Sequence, residues 1–281
     1  MQISYLLDFS HAKCFGAAQK LKWIQSVGAG VDRYLFPEVV KSQVTITNAS
    51  GVHPIPISEH VIGMMLCFCR KLHFFIRSQM DGKWRRDEGR LGEEEIEELS
   101  DKTVGIFGLG RIGDELAKKA KCLGMRVIAT RKNPYAPAPD YVDKLIQPRN
   151  LEELLTESDF VVLTLPLTTE TRGIIGEEQF RSMKKTSYLI NVGRGKLVQE
   201  DKLIKALNEG WIAGAGLDTF EMEPLPRDSD LWRMHNVIIT PHIAGATPHY
   251  LERLTDIFCE NLERFLRNEK LINVVNKTLG Y

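Results

Sequence analysis

Short apolar runs recur along the chain, and amphipathic stretches with a helical period separate several of them. The clearest run, Thr103–Phe107, is rich in β-branched residues and predicts a buried strand. Residues 111–123 then repeat apolar side chains with helical spacing, and Arg126–Thr130 predicts a second strand. Five further strands are predicted at residues 144–147, 160–165, 187–192, 213–218 and 237–240. Strands that alternate with helices are typical of an α/β fold with a doubly wound parallel sheet.

The part of the chain before residue 100 predicts a smaller α/β region, with strands at residues 3–9, 21–27 and 44–48. Residues 14–20 predict a short helical segment between the first two strands. Residues 58–75 are apolar on almost all sides and predict one long helix, buried in a core or against a partner subunit.

Glu59 and His60 lie near the start of this predicted helix and are candidate catalytic residues. Capping and solvation of the first helical turn is the favoured interpretation, because acidic residues are enriched there. Residues 251–268 predict a final amphipathic helix, whose apolar face includes Ile257, Phe258 and Leu262.

A G-x-G-x-x-G motif, formed by Gly108, Gly110 and Gly113, lies between the first strand and first helix of the predicted sheet. This strand–turn–helix–strand context is the one that dinucleotide binding requires. The first glycine permits a tight turn, the second lets the backbone approach a pyrophosphate, and the third lets helix and strand pack closely. The helix N-terminus, with Arg111 and Ile112 in its first turn, faces the anion. We therefore predict a Rossmann-type domain that binds a dinucleotide cofactor.

The end of the second strand bears on which nicotinamide cofactor is used. In this fold an Asp or Glu about twenty residues after the first glycine accepts the ribose hydroxyls of NAD. Here Thr130, Arg131 and Lys132 occupy this region, and they favour the 2′-phosphate of NADP through charge-assisted hydrogen bonds. Alternatively, Arg131 stacks on the adenine and Lys132 is solvated, which would leave both cofactors usable. The sequence predicts a preference for NADP, with NAD possible.

Polar residues follow the later strands at the edge where ligands bind to an open parallel sheet. Arg194, Glu223 and His242 are the three with the clearest chemical use. A histidinium can protonate a carbonyl oxygen as a hydride adds to the carbon, and a neighbouring carboxylate favours the charged ring. A guanidinium can bind a carboxylate at two points and polarise the adjacent carbonyl. Taken singly, Arg194 could be a surface cation, Glu223 a loop charge and His242 a helix cap. Their joint placement at strand ends predicts carbonyl reduction.

The strand predicted at residues 21–27 ends in the sequence SVGAG, which includes Val27 and Gly28. Glycines directly after a strand leave backbone amides available to bind an anion. An ordinary strand-to-helix turn is equally compatible with this pattern. Anion binding by the amides near Val27 and Gly28 is therefore one of two open interpretations.

Composition narrows the classes of partner. Lys plus Arg and Asp plus Glu both number 37, which argues against nucleic acid or an anionic membrane as the main partner. The longest apolar run, residues 61–69, is too short to span a bilayer, and the N-terminus has no secretory-signal pattern. The five cysteines have no disulfide-framework spacing, so a reducing, cytoplasmic location is predicted. Cys67 and Cys69 are interpreted as buried thiols, with metal ligation as the weaker alternative, and no metal site is predicted.

The chain resembles the D-isomer-specific 2-hydroxyacid dehydrogenases, the family of phosphoglycerate, glycerate and hydroxypyruvate/glyoxylate reductase-type enzymes. The segments that carry the resemblance run in family order over nearly the whole chain. They are LKWIQSVGAGVD, SEHVIG, TVGIFGLGRIG, INVGRGKLV, AGAGLDTFEMEPLP and NVIITPHIAG. The resemblance implies reversible reduction of a small 2-oxo acid to a D-2-hydroxy acid, and a homodimer formed through the helix that includes Ser58.

The resemblance also implies roles for individual residues. Arg194 would bind the substrate carboxylate and carbonyl, His242 would donate the proton, and Glu223 would pair with His242. The amides near Val27 and Gly28 would help to bind the substrate carboxylate. Besides the glycine turn and residues 130–132, the predicted cofactor-binding residues are Pro166, Thr171, Asp218, which would hold the nicotinamide carboxamide, and Gly245.

Two domains are predicted. Residues 1–53 and the C-terminal helix in residues 246–281 would form a flavodoxin-like substrate domain, and residues 54–245 the cofactor domain. Family members usually begin earlier, so the substrate domain is expected to be shortened at its N-terminus, and a misplaced start codon would also explain this difference. A nucleotide-sensing, corepressor-like protein on the same fold is the alternative function, since such relatives can keep all three polar residues. A family enzyme that oxidises formate or phosphite has no special support in the sequence.

Overall fold

The computed structural model describes residues 15–16, 18–31, 34–86, 95–132 and 137–280. The chain forms two compact units, and each is described separately. The smaller unit takes its residues from 1–53, 166–169 and 246–281, and the larger unit comprises 54–165 and 170–245. The predicted strand at residues 3–9 lies outside the described residues. In the segment predicted to be helical at 14–20, residues 15 and 16 are helical, whereas 14 and 17 lie outside the described residues.

The larger unit is built on a seven-stranded sheet in which every neighbouring pair of strands is parallel. Its strands are β3 (Thr103–Phe107), β4 (Arg126–Thr130), β5 (Lys144–Ile146), β6 (Phe160–Leu163), β7 (Tyr188–Asn191), β8 (Gly214–Leu217) and β9 (Val237–Ile239). All seven were predicted from apolar runs, and the last five are shorter than predicted. The doubly wound α/β prediction is therefore confirmed.

Strand order places the glycine turn at the switch point of the sheet. The order is β5–β4–β3–β6–β7–β8–β9, so the chain runs outward from β3 in one direction and then returns to build the other half. Ligands bind at such switch points, beyond the carboxyl ends of the strands. The central strands are buried on both faces, as the adjacent residues Val161 and Val162 of β6 illustrate, and this burial explains their continuous apolar sequences.

The helices of the larger unit flank this sheet. They are α2 (Pro54–Cys69), α3 (Leu72–Met80), α4 (Arg111–Cys122), α5 (Leu151–Glu157), α6 (Glu177–Ser182) and α7 (Glu200–Asn208). Helix α4 follows the prediction closely and buries Leu116, Ala117 and Ala120 on its apolar face. Asn150 lies at the N-cap of α5, and its side chain makes no capping hydrogen bond. The short helix α6 was not predicted.

The prediction of one helix over residues 58–75 is wrong, because α2 and α3 divide this segment. Two prolines occupy the start of α2, where the missing backbone N–H costs no helical hydrogen bond. Lys71 adopts a left-handed conformation, with φ of 53°, between the two helices. Helix α2 also buries only part of its surface: Val61 and Met65 are fully buried, whereas Leu66 is 37% exposed.

The smaller unit contains β1 (Trp23–Gln25) and β2 (Thr45–Thr47), which pair in parallel, together with α1 (Pro37–Lys41) and α8 (Tyr250–Leu266). Helix α1 was not predicted. The indole of Trp23 stacks on Phe258 and Phe265 of α8, with ring centroids 5.6 and 5.4 Å apart. The C-terminal helix therefore belongs to the apolar core of this unit.

The described cysteines, Cys67, Cys69, Cys122 and Cys259, are free thiols. Burial raises the pKa of the Cys69 thiol to about 11, so this group is protonated and unreactive at neutral pH. Within the described ranges, no cluster of His, Cys, Asp and Glu could hold a metal ion. None of the helices in the described part of the chain is both long and apolar enough to cross a membrane.

Candidate active site

The glycine turn after β3 has the backbone geometry of a phosphate cradle. Gly108 has φ of 112°, a conformation that favours glycine. A Cβ atom at Gly113 would lie 2.5 Å from the Gly108 carbonyl oxygen, so the helix packs directly on the turn. At Gly110, by contrast, a Cβ atom would meet nothing within 4 Å. The open space beside Gly110, at the N-terminus of α4, fits the pyrophosphate of a dinucleotide.

Thr130 holds this turn from the neighbouring strand. Its hydroxyl accepts a hydrogen bond from the Gly108 N–H at 3.2 Å, and its carbonyl accepts one from the Leu109 N–H at 2.6 Å. Thr130 is buried, whereas Arg131 is half-buried and Lys132 is exposed. The two cations at the end of β4 are thus the groups in this segment that reach solvent.

An acidic residue that sequence analysis did not single out lies near these cations. Asp114, in the first turn of α4, pairs with Lys118 at 2.7 Å and accepts a hydrogen bond from the Tyr141 hydroxyl at 2.5 Å. Burial raises the pKa of the Asp114 carboxyl. The hydrogen bonds from Lys118 and Tyr141, together with the charges of Lys118 and Arg131, lower this pKa by more than burial raises it, so the net shift is downward. The carboxylate is therefore ionised and already neutralised by Lys118.

Asp218, at the end of β8, is buried and organises the loop after β9. One carboxylate oxygen accepts hydrogen bonds from the Thr240 hydroxyl at 2.6 Å and from the Ile243 N–H at 2.9 Å. The other accepts from the Ala244 N–H at 2.9 Å. Because three donors converge on this carboxylate, Asp218 holds the segment that carries His242.

His60 joins the same network, which corrects its interpretation as a solvated residue of a first helical turn, since α2 begins at Pro54. The Glu59 side chain, by contrast, is 65% exposed. Since Thr240 gives its single hydroxyl hydrogen to Asp218, it accepts from His60 Nε2, 3.0 Å away. Burial lowers the pKa of His60 more than the charge of Asp218 raises it, which favours the neutral ring at neutral pH. Glu59 pairs with Lys119 at 3.2 Å. No local sequence signal reveals the His60 contact, because Thr240 is 180 residues away.

Glu223 and His242 form a direct pair. His242 Nδ1 lies 2.7 Å from Glu223 Oε2, and Glu223 Oε1 accepts a hydrogen bond from the Phe220 N–H at 3.0 Å. A carboxylate only accepts, so Nδ1 carries the hydrogen and Nε2 is the nitrogen left to exchange a proton. The His242 side chain is 50% exposed, which leaves room for a substrate. The residues placed in separate loops by the sequence are thus brought together.

Asn191 shapes the turn that carries Arg194. Its buried side chain accepts a hydrogen bond from the Gly193 N–H at 3.1 Å and donates one to the Arg194 carbonyl at 3.0 Å. A Cβ atom at Gly195 would lie only 1.8 Å from the carbonyl carbon of Phe220. The Arg194 turn therefore packs against the loop that carries Glu223.

The remaining predicted residues fall in both units. Thr171 and Gly245 belong to the larger unit. Thr171 lies in the turn before α6, and Gly245 directly follows the loop that Asp218 holds. Val27, Gly28 and Pro166 belong to the smaller unit. The loop with Val27 and Gly28 directly follows β1, as predicted.

Comparison with known proteins places the chain in a family of dehydrogenases. The sequence model described as "D-isomer specific 2-hydroxyacid dehydrogenase, NAD binding domain" matches residues 62–244. A glyoxylate reductase of Korarchaeum cryptofilum is 38% identical over 98% of this chain and 82% of its own length.

Solved structures extend this likeness to the fold. A D-isomer specific 2-hydroxyacid dehydrogenase of Xanthobacter autotrophicus, solved with NADPH and MES, has a TM-score of 0.85 and 31% identity. That match covers 96% of this chain and 82% of the other. An NADPH-dependent glyoxylate/hydroxypyruvate reductase of Sinorhizobium meliloti, solved with NADP and sulfate, has a TM-score of 0.84 and 30% identity, over 96% and 83% of the two chains.

The fold and site define an oxidoreductase that transfers hydride between a nicotinamide dinucleotide and a small-molecule substrate. The chain belongs to the D-isomer specific 2-hydroxyacid dehydrogenase family. It is accordingly an NAD(P)-dependent dehydrogenase acting on 2-oxo and 2-hydroxy acids.

Proposed function

We propose that the protein reduces small 2-oxo acids of the glyoxylate and hydroxypyruvate class to 2-hydroxy acids, of D configuration where the product is chiral, with NADPH as the preferred cofactor. The observation that carries this proposal is the 2.7 Å Glu223–His242 pair beside the Arg194 turn. The names of the Korarchaeum cryptofilum and Sinorhizobium meliloti proteins support the substrate class.

Each polar residue has a separate task in this reaction. The nicotinamide, when bound, supplies the hydride. Arg194 binds the substrate carboxylate at two points and polarises the carbonyl, while His242 gives its Nε2 proton to the carbonyl oxygen. Glu223 orients the imidazole through the hydrogen bond that it accepts from Nδ1. The backbone amides after Val27 are also proposed to bind a substrate carboxylate.

The cofactor is proposed to bind along the carboxyl ends of β3, β4 and β8. The glycine turn and the first turn of α4, with Arg111 and Ile112, would hold the pyrophosphate. Asp218 would accept a hydrogen bond from the nicotinamide carboxamide, since a carboxylate has about four acceptor positions and three are used here. Pro166, Thr171 and Gly245 are proposed to complete the site.

A panel of glyoxylate, hydroxypyruvate, pyruvate, phenylpyruvate and phosphohydroxypyruvate tests the proposed activity with NADPH and NADH. The proposal expects the highest kcat/KM for glyoxylate or hydroxypyruvate. Tight cofactor binding without turnover of any substrate would instead favour the nucleotide-sensing alternative.

Cofactor preference provides a sharper test at the end of β4. We expect the wild type to have a higher kcat/KM with NADPH than with NADH. Arg131→Asp should lower the NADPH/NADH ratio of kcat/KM by about tenfold or more, because an acid repels the 2′-phosphate. Arg126→Asp is the control, since this residue lies at the other end of β4, where its exposed side chain pairs with Glu157. A wild-type preference for NADH, or an unchanged ratio in Arg131→Asp, would refute this role.

We also propose a homodimer formed through the α2 and α3 face of the larger unit. Large apolar side chains are exposed along these helices, including Leu72 at 43%, Ile76 at 54% and Met80 at 83%. Such a surface is typical of a subunit interface. Light scattering is expected to give twice the chain mass for the wild type and a lower mass for an Ile76→Glu/Met80→Glu variant, and a monomeric wild type would contradict the proposal.

A further inference from the structure

Consecutive carbonyl groups of the loop after β1 are held in place by neighbours within the smaller unit. The Val27 carbonyl accepts a hydrogen bond from the Tyr250 hydroxyl at 2.5 Å. The Gly28 carbonyl accepts from the Ser26 hydroxyl at 3.0 Å and from the Ala49 N–H at 3.1 Å. Two successive peptide groups are thus anchored from their carbonyl side.

Asn48 extends this arrangement to a third peptide group, because its side-chain amide donates to the Ala29 carbonyl at 2.9 Å. In a trans peptide group the N–H points away from the C=O. The N–H groups of Gly28, Ala29 and Gly30 therefore point away from the three anchors. None of them donates to an acceptor in the described part of the chain. Successive amides of this kind form a concave anion-binding nest.

We propose that Tyr250, Ser26 and Asn48 are positioning residues that hold the amides of Gly28, Ala29 and Gly30 in the orientation that binds the substrate carboxylate. The proposal rests on the proposed function, which places a carboxylate at this loop. The anchors touch the carbonyl side of the loop and act only through the backbone.

Tyr250 is the anchor with the most direct test. It lies at the start of α8, 223 residues from Val27, and its ring stacks on His53 with centroids 5.6 Å apart. Burial, and to a lesser extent Tyr34, raises the pKa of Tyr250, so its hydroxyl stays protonated and can donate across the neutral range. Removing the hydroxyl alone, as in Tyr250→Phe, keeps the stacked ring and releases one peptide group.

The experiment measures steady-state kinetics and oxalate binding for the wild type and three variants. Tyr250→Phe is expected to raise the KM of the 2-oxo acid and the Kd of oxalate by about fivefold, the effect of one hydrogen bond. The KM of the cofactor and kcat are expected to change little. Ser26→Ala should have the same direction of effect. Ser42→Ala is the matched control, because its hydroxyl donates to the Val39 carbonyl at 2.8 Å, elsewhere in the same unit.

Comparing the effect on the acid (2-oxo acid KM and oxalate Kd) with the effect on the cofactor KM distinguishes positioning from a general structural role. An unchanged 2-oxo acid KM and oxalate Kd in Tyr250→Phe would overturn the inference while leaving the proposed function intact. Equal losses for acid and cofactor, or equal effects of Ser42→Ala, would also overturn it. A wild type that neither reduces a 2-oxo acid nor binds oxalate would overturn the proposed function and this inference together, and would be recognised without any variant.

Discussion

His242→Ala is expected to lower kcat for 2-oxo acid reduction by about a hundredfold or more, the usual scale for loss of a general acid. The pair with Glu223 leaves Nε2 as the ring nitrogen that can deliver a proton, and alanine offers no substitute. The KM of the cofactor should stay near its wild-type value. Stopped-flow measurement of NADPH oxidation at saturating substrate gives the rate directly.

Two further variants test whether the loss of rate in His242→Ala is specific to the Glu223–His242 pair. His235→Ala is the matched control, since this exposed histidine belongs to the same unit and lies outside the site, and it should leave the rate unchanged. Glu223→Gln keeps the size of the side chain but removes its charge, so it should give a smaller loss than His242→Ala. A His242→Ala enzyme with the wild-type rate would remove His242 from the mechanism.

The larger fold was predictable because its signals are local. The central strands of the parallel sheet are buried on both faces and therefore appear as apolar runs, of which Phe160–Leu163 is an example. The glycine turn was equally clear, since Gly108 and Gly113 are required by backbone geometry rather than by distant contacts. The division between α2 and α3 was missed because Lys71, not a glycine or proline, adopts the left-handed conformation there.

The supporting residues of the site were not predictable from local patterns. His60 contacts Thr240 across 180 residues, and Tyr250 reaches Val27 across 223. Asn191 is a neighbour of Arg194 in sequence, yet its clamp on the turn depends on a buried side chain that a single sequence does not reveal. Strand ends therefore identify the groups that we propose perform the chemistry, whereas the groups that orient them appear only when the chain is folded.

The 2′-phosphate prediction shows the same division between sequence and structure. Arg131 was identified from its spacing after the first glycine. Asp114 was not identified, because it lies in the preceding helix α4 and no sequence pattern connects it with the end of β4. Because Lys118 already neutralises Asp114, this acid does not cancel the positive charge that Arg131 and Lys132 offer. A preference for NADPH is therefore expected.

Arg194→Lys is expected to lower kcat/KM for the 2-oxo acid by about ten- to a hundredfold, although the charge is kept. A guanidinium binds a carboxylate through two parallel hydrogen bonds, and an ammonium cannot reproduce this planar grip. The turn cannot shift to compensate, because Asn191 holds the Arg194 carbonyl and Gly195 packs against the backbone of Phe220.

The neighbouring cation provides the reverse exchange as a control. Lys196→Arg changes an exposed side chain two residues away and should leave kcat and KM unaltered. The loss in Arg194→Lys should fall on the oxo acid and not on the cofactor, since Arg194 is proposed to contact only the acid. If Arg194→Lys retained both wild-type constants, the guanidinium would have a structural role only, such as its hydrogen bond to the Gly193 carbonyl at 2.8 Å. Substrate recognition would then rest on the amides of the Gly28 loop.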